Sequence, residues 1–250
     1  MRRLKKWQGL TLRIGRSGLR LLIAEDGEDN RSLLRHYLQG EPVAVQFAPN
    51  GLEAVNLIVG GAEFDLILMD LDMPVPDGYA ATRQIRKWQS SRGIPPTPII
   101  ALSEHALQDL VRASLEVGCN AHLAKPVERA VLIEAIYRYT LSEDVVKLVE
   151  QGGLGAAGEA GPEISDLVPQ YLASKWKQLE EARSHLLEHD LEPVRRFGHN
   201  LRGTARGYGF PPLENIGRDL EVAAASQEES RITEQLERLR QFLEQESMPV

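Results

Sequence analysis

The stretch DLILMDLDMPVPDGYAATRQIR, residues 65–86, decides the fold of the first half of this chain. Its opening segment, residues 66–70, is a continuous apolar run that ends on an acid, and such runs are typical of strands that helices cover on both faces. The next segment, residues 79–87, has apolar residues at helical spacing. The stretch therefore predicts a strand followed by a helix, which is the repeating unit of a parallel sheet.

Five such units occur between Leu19 and about Leu141. The predicted strands are residues 20–24, 44–47, 66–70, 99–103 and 121–123. The predicted helices are residues 31–38, 52–59, 79–87, 107–116 and 129–140. This pattern predicts a doubly wound α/β domain of the (βα)5 type.

The second half has a different character. Residues 151–162 hold five glycines and three alanines, a composition typical of a linker. Helix-period segments follow, with turn signals at residues 190–193 and 210–212, and they predict an all-α bundle of about four helices. The predicted organisation is a basic leader at 1–18, the α/β domain at 19–142, a Gly/Ala-rich linker at 143–162 and the helical domain at 163–250.

Composition narrows the function classes. A chain of 250 residues, 42% of them hydrophobic, can form two cores. The net charge of −7 disfavours a nucleic-acid partner, since such proteins usually carry a basic face. Cys119 is the only cysteine, which excludes a disulfide within the chain. Arginines interrupt the apolar residues of the leader, so we expect a cytoplasmic protein without membrane insertion.

Polar residues stand where four of the predicted strands end. Because the carboxyl ends of parallel strands meet at one edge, these side chains are expected to converge. They are Glu25, Asp26, Asp70, Ser103 and Lys125. Neighbouring carboxylates repel one another unless a cation lies between them, and Mg²⁺ (or Mn²⁺) prefers oxygen ligands of this kind. With that charge neutralised, Asp70 could attack a phosphoryl group while Ser103 and Lys125 hold its oxygens.

Four segments of the first half resemble the receiver domain of bacterial response regulators, in the right order. They are LLIAEDGEDNR at 21–31, DLILMDLDMPVPDGYAATRQIR at 65–86, PIIALSEHA at 98–106 and HLAKPV at 122–127. The resemblance implies a flavodoxin-like fold with a phospho-acceptor at Asp70, a switch hydroxyl at Ser103 and a phosphate-holding Lys125. It also implies a metal site at Glu25, Asp26, Asp70 and the main-chain carbonyl of Asp72. His122 takes the place where the family usually carries an aromatic switch residue.

A second resemblance involves the same acids. Asp70-Leu71-Asp72 is similar to the DxD start of haloacid-dehalogenase-type phosphatases, which also form an aspartyl phosphate with magnesium. That family has a threonine two residues after its second aspartate, whereas this chain has Pro74 there. The receiver interpretation therefore remains the preferred one.

In the second half, RRFGHNLRGTARGY at residues 195–208 predicts a helix whose apolar face includes Phe197 and Leu201. His199 lies about 200° around that helix from both residues, so it is predicted to project into solvent. Arg195, Arg202 and Arg206 are expected on the same outer stripe, as a positive patch. Gly203 costs a helix about 1 kcal/mol relative to alanine, and leaving space for a docking partner would explain its presence.

The segment HNLRGTARGYG, residues 199–209, resembles the HxLKGxxxxxG signature of histidine phosphotransfer (HPt) domains, with Arg202 where lysine is commoner. The resemblance implies a four-helix bundle in which His199 carries a phosphoryl group on nitrogen. Arg202 keeps the positive charge but presents a planar fork.

Together these observations predict a phosphorelay protein. No glycine-rich nucleotide loop or P-loop occurs in the chain, so we expect a phosphoryl carrier and no ATP-dependent kinase. The expected partners are a sensor histidine kinase and a receiver, either this one or one on another protein. Two alternatives stay open: a regulatory module that does not use His199, and, less favoured, a DNA-binding regulator.

Overall fold

The computed structural model describes residues 18–74, 76–103, 108–140 and 164–246. The chain forms two compact units, residues 1–161 and 162–250. All of the predicted leader except Gly18, and all of the predicted linker, lie outside the described residues. In the described part of the chain, no helix combines the length and the apolar character needed to cross a bilayer.

The first unit is a five-stranded parallel sheet in the order β2-β1-β3-β4-β5. Its strands are β1 (Leu19–Ala24), β2 (Val43–Ala48), β3 (Leu66–Asp70), β4 (Ile99–Ser103) and β5 (Ala121–Ala124). Its helices are α1 (Glu28–Tyr37), α2 (Gly51–Val59), α3 (Gly78–Arg92), α4 (Gln108–Glu116) and α5 (Arg129–Thr140). The strand order reverses direction between β1 and β3, so the expected doubly wound α/β fold is confirmed.

Burial explains why β3 and β4 are the strands with the clearest apolar runs in the sequence. Every residue of β3 and of β4 is buried, because helices cover both faces of the sheet. The edge strand β2 instead alternates between half-buried and exposed positions until it ends on the buried Ala48. The two cores of the unit lie on either side of the sheet.

Capping explains why α3 runs beyond its predicted bounds of 79–87. At its start, the Asp77 side chain accepts a hydrogen bond from the Ala80 backbone N–H at 2.7 Å. At its end, Gly93 adopts φ 65°, a left-handed conformation that glycine permits at low cost. The helix therefore continues past Trp88 through the polar residues 89–92, which carry no apolar periodicity.

The second unit is all-α, as expected. A short 3₁₀ turn (Ile164–Asp166) leads into α6 (Val168–Leu187), which is followed by α7 (Leu191–Ala205), α8 (Pro211–Ala225) and α9 (Glu229–Glu246). Helix α8 begins at Pro211 and Pro212, where the missing N–H groups would have no partner within the helix anyway. Buried leucines from all four helices contribute to its core, including Leu179, Leu201, Leu220 and Leu239.

Two glycines allow α7 and α8 to approach each other closely. A Cβ atom on Gly198 would lie 2.6 Å from the Glu221 backbone nitrogen, and one on Gly217 would lie 2.6 Å from the Arg202 backbone nitrogen. Real Cβ atoms essentially never come so close, so neither position has room for a side chain. The two helix backbones are consequently in direct contact at this level.

Candidate functional site

The first candidate site lies at the carboxyl edge of the sheet. Asp70 ends β3, Ser103 ends β4, Glu25 follows β1 and Lys125 follows β5. The fold therefore brings together residues that are far apart in sequence, as the topology of a parallel sheet requires.

Lys125 is the centre of this cluster. Its Nζ lies 2.8 Å from Glu25 Oε2 and 2.7 Å from Asp70 Oδ2. All three side chains are buried, with exposed fractions of 5% for Lys125, 0% for Glu25 and 1% for Asp70. One ammonium group thus neutralises part of the charge of two buried carboxylates.

Glu25 is held by local contacts as well. Its Oε1 accepts hydrogen bonds from the Gly27 backbone N–H at 3.0 Å and from Asn30 Nδ2 at 2.9 Å. Burial raises the pKa of Glu25 to about 7 although Lys125 opposes the shift, and the negative charge of Asp70 raises it further. The cluster carries more negative charge than Lys125 compensates.

The backbone around this carboxylate is also fixed. Arg31 Nη1 donates to the carbonyl oxygens of Glu25 at 2.9 Å and of Asp26 at 2.7 Å. Asn30 and Arg31 belong to the quoted motif, but no pattern in the sequence predicted this role for them.

Asp72 connects the phospho-acceptor candidate with the switch candidate. Its backbone N–H donates to Asp70 Oδ1 at 3.0 Å, and its Oδ2 accepts a hydrogen bond from Ser103 Oγ at 3.3 Å. Ser103 is buried, whereas Asp72 is exposed. The role of the Asp72 main-chain carbonyl as a metal ligand stays a prediction.

His122 lies in β5, beside α4. Its Nδ1 is 3.1 Å from Ser114 Oγ, and the Ser114 hydroxyl also donates to the Val111 carbonyl at 2.7 Å. Because that hydroxyl has a single proton, Nδ1 of His122 acts as the donor to Ser114. The residue at the predicted switch position is therefore attached to α4.

The donor set of the first site fits a divalent cation. One carboxylate oxygen from each of Glu25, Asp26 and Asp70 lies within 4.8 Å of the others. Hard oxygen ligands of this kind suit Mg²⁺, and its positive charge would oppose the burial and the carboxylate repulsion that raise the pKa of Glu25.

The second candidate site lies where α7 meets α8. His199 is only 7% exposed and its Nε2 atom is buried, so the prediction that it projects into solvent is wrong. On the helical wheel of α7, His199 lies opposite the apolar face, but the wheel describes one helix and does not include α8. The contact of α7 with α8 at Gly198 and Gly217 covers that side of the helix.

Glu221 of α8 is the main partner of this histidine. Its Oε1 lies 3.2 Å from His199 Nδ1, and its Oε2 lies 3.1 Å from Arg202 Nη1. Arg195 Nη1 is 3.9 Å from the same carboxylate. Burial alone would raise the pKa of Glu221, but the hydrogen bond with His199 and the arginine charges outweigh it and lower this pKa below its ordinary value. Sequence reasoning missed Glu221, since no motif connects it with His199.

Acidic partners neutralise much of the charge of the predicted positive patch. Arg195 also forms two hydrogen bonds with Glu192, at 2.9 and 2.7 Å. Arg206 Nη2 pairs with Glu214 of α8 at 3.0 Å. Gly203 is buried, so the prediction that it opens space for a docking partner at the surface is wrong. The close approach of the helices uses Gly198 and Gly217 instead.

Comparisons with known proteins place the first unit in a family. Residues 21–137 match the family model described as the response regulator receiver domain. The chain is 29% identical over 211 residues to the sensor histidine kinase GacS of Pseudomonas protegens, and 31% identical over 214 residues to the sensor protein GacS of Pseudomonas syringae. Each match covers 78% of this chain and 23% of the relative, so this chain spans about a quarter of the length of those proteins.

Two solved structures are similar to half of the chain. A crystal structure of the receiver domain of the sensor histidine kinase PA1611 from Pseudomonas aeruginosa, with magnesium in its active-site cleft, is 37% identical with a TM-score of 0.45, and the match covers 50% of this chain and 99% of that one. A chain from the co-crystal structure of Saccharomyces cerevisiae Ypd1 with the receiver domain of Ssk1 is 34% identical with a TM-score of 0.47, and the match covers 50% of this chain and 90% of that one.

Proposed function

Because residues 21–137 are a response regulator receiver domain, we propose that this chain is a two-domain phosphorelay component. Asp70 accepts a phosphoryl group from a sensor histidine kinase, and His199 exchanges one with a receiver aspartate, on this chain or on another protein. The observation that carries the proposal is the convergence of Asp70 with Lys125 and two further carboxylates at the carboxyl edge of the sheet.

In the receiver step, a carboxylate oxygen of Asp70 attacks the phosphorus of a donor phosphohistidine. The new O–P bond forms as the N–P bond breaks, and the donor imidazole keeps the electron pair. Lys125 lies 2.7 Å from Asp70 and can hold a phosphoryl oxygen, while Ser103 can donate to another after leaving Asp72. Glu25, Asp26 and Asp70 would hold Mg²⁺, which neutralises phosphoryl charge when bound.

Two observations support an HPt role for the second unit. His199 lies in a bundle of four helices, among basic residues that could bind phosphoryl oxygens. The matches to the GacS proteins cover 78% of the chain, which is more than residues 1–161 contain, so they extend into this unit. Reacting atoms must come within about 3.5 Å of each other, so the buried Nε2 has to become exposed before transfer.

Phosphorylation of the full chain by acetyl phosphate with Mg²⁺ tests both halves of the proposal. Phosphohistidine survives base and aspartyl phosphate does not, so base treatment separates the two linkages. We expect wild type to show both linkages and His199→Gln to show only the base-labile one. Asp70→Asn is expected to lose the base-labile label.

Mixing the two variants tests transfer between chains. Phosphorylated His199→Gln protein serves as the donor, and size-tagged Asp70→Asn protein, in which His199 is intact, serves as the acceptor. Base-stable label on the acceptor would show that His199 accepts from the Asp70 receiver site. If the phosphoryl group stays on Asp70 and never reaches His199, either in the wild-type chain or in the mixture of variants, the proposed exchange is contradicted.

The burial of His199 favours one second candidate function. In it, phosphorylation of Asp70 regulates how the helical unit meets a partner, and His199 is structural. This function predicts that the His199→Gln variant keeps receiver phosphorylation and signalling output, whereas the carrier function predicts loss of output downstream of His199.

A further inference from the structure

Glu221 is the carboxylate that joins the residues of the histidine site. It extends from α8 towards three side chains of α7, and only 17% of its side chain is exposed. One oxygen faces His199 Nδ1 at 3.2 Å, with Arg195 at 3.9 Å. The other oxygen faces Arg202 at 3.1 Å.

These contacts fix where the imidazole proton lies. The hydrogen bond with His199 and the two arginine charges lower the pKa of Glu221 despite its burial, so the carboxyl is ionised at neutral pH. An ionised carboxylate only accepts hydrogen bonds. Nδ1 of His199 must therefore donate, and a neutral ring carries its proton on Nδ1 with the lone pair on Nε2.

We infer that Glu221 is a positioning residue, which holds His199 as the Nδ1–H tautomer and thereby makes Nε2 the attacking atom. This inference rests on the proposed carrier function of His199. The Nε2 lone pair forms a bond to the phosphorus of an aspartyl phosphate, and the O–P bond breaks with its electron pair left on the aspartate. The proton stays on Nδ1 and the developing positive charge of the ring faces the Glu221 carboxylate.

The contact with Arg202 makes one substitution unusually informative. In Glu221→Gln, one of the two carboxylate oxygens is replaced by an NH₂ group. A guanidinium has only donors, and Arg202 lies closer to its carboxylate oxygen, at 3.1 Å, than Arg195 lies to the other, at 3.9 Å. We therefore expect the remaining oxygen to face Arg202 and the NH₂ group to turn towards His199. Nδ1 must then accept, which puts the proton on Nε2 and blocks the attacking atom.

Glu221→Ala has no such preference. It leaves both tautomers accessible, so part of the population keeps an unprotonated Nε2. The conservative substitution is therefore expected to be the more damaging one, because it enforces the wrong tautomer.

Nitrogen NMR of the ¹⁵N-histidine-labelled full chain measures the tautomer directly, at about pH 8.5, where histidine is ordinarily neutral. The signal of His199 among the six histidines is assigned with His199→Gln. We expect Nδ1–H in wild type, Nε2–H in Glu221→Gln and a mixture in Glu221→Ala. Asp219→Asn is the matched control, since Asp219 lies on the same helix but pairs with Arg238 of α9 at 3.5 Å, and we expect it to keep Nδ1–H.

Transfer rates from phosphorylated Asp70 provide the second measurement. We expect Glu221→Gln to slow transfer to His199 roughly 100-fold and Glu221→Ala about tenfold, since a wrong tautomer can cost an enzyme about 10⁴-fold. The Asp219→Asn rate should equal that of wild type. Near-UV circular dichroism shows whether each variant keeps its packing.

The two possible failures are distinguishable. A wild-type ring with its proton on Nε2, or a Glu221→Gln ring that keeps Nδ1–H, would overturn the positioning role even if His199 is phosphorylated. A wild-type His199 that shows Nδ1–H but never takes a phosphoryl group would contradict the carrier function while leaving the tautomer assignment in place.

Discussion

The receiver site and the histidine site balance charge in opposite ways. At the carboxyl edge of the sheet, three carboxylates lie close together and two of them pair with Lys125, while burial raises the pKa of Glu25 to about 7. Between α7 and α8, Glu221 meets two arginines and a histidine, and its pKa is lowered. The first site therefore has excess negative charge that an added cation would balance. The second already contains its cations and needs a partner that brings negative charge.

The largest expected effect comes from Lys125→Met in the receiver site. This substitution leaves buried carboxylates without their ammonium, which should cost roughly 3–5 kcal/mol of unfolding free energy in the absence of divalent cations. Added Mg²⁺ should restore part of this stability. We also expect phosphorylation of Asp70 to slow by roughly 100-fold or more, because a group that holds the transferring oxygens is lost.

Denaturant titrations with EDTA or Mg²⁺ and acetyl phosphate kinetics measure these effects. Lys87→Met is the control, because Lys87 is an exposed lysine of α3 in the same unit. A Lys125→Met protein as stable as wild type in EDTA would show that the buried carboxylates do not depend on Lys125 for charge compensation. The described difference in charge balance between the two sites would then be wrong.

The next largest effect is expected at the contact between α7 and α8. Gly198→Ala forces a Cβ against the backbone of Glu221, and overpacking of this kind costs roughly 1–3 kcal/mol. The unfolding of the helical unit can be followed by the fluorescence of Trp176 after Trp7 and Trp88 are replaced by phenylalanine. Gly217→Ala should have the same effect, since the two glycines face each other.

The receiver unit provides the internal control for this prediction. Acetyl phosphate should label Asp70 of the Gly198→Ala variant at the wild-type rate. If alanine at position 198 is accepted within about 0.5 kcal/mol, the helices are less tightly packed than described and the account of the His199 burial is wrong.

The smallest effect concerns pH. Because Glu221 has a lower pKa in the folded protein than in the unfolded chain, its stabilising contribution is fully present above the ordinary carboxyl pKa and is lost as pH falls through the folded-state value. The stability difference between wild type and Glu221→Gln should therefore shrink as pH falls below the ordinary glutamate pKa of about 4.3. Trp176 denaturation curves at several pH values measure it, and a constant difference would mean that Glu221 is not ionised at the histidine site.

The sequence predicted the receiver site well for a physical reason. Continuous apolar runs mark buried strands, and parallel strands must end at one edge, so the sequence alone predicts that Glu25, Asp70, Ser103 and Lys125 lie together. What remained hidden was the way in which they pair. The hydrogen bond from Ser103 to Asp72 depends on side-chain rotamers, which no pattern in the sequence fixes.

The histidine site shows where sequence reasoning stops. Periodicity located α7 and the motif identified His199, but periodicity describes one helix at a time. The face opposite its own apolar stripe can still be covered by a neighbouring helix, as happens here at Gly198. Glu221 was missed for the same reason, since its contact with His199 spans two helices.

The paired glycines also limit the kinds of motion that can expose His199. With two backbones in contact, α7 and α8 cannot move closer, and separating them would expose packed surface to water. Exposure of Nε2 is therefore expected to come from rotation of the side chains that cover the His199 ring, while Nδ1 keeps its contact with Glu221. Such rotations take picoseconds to nanoseconds at exposed positions and longer under cover. Helix displacements take microseconds or more, but none is needed to expose Nε2 in this way. We therefore expect docking and bond exchange to limit the transfer rate, and not the opening of the histidine site.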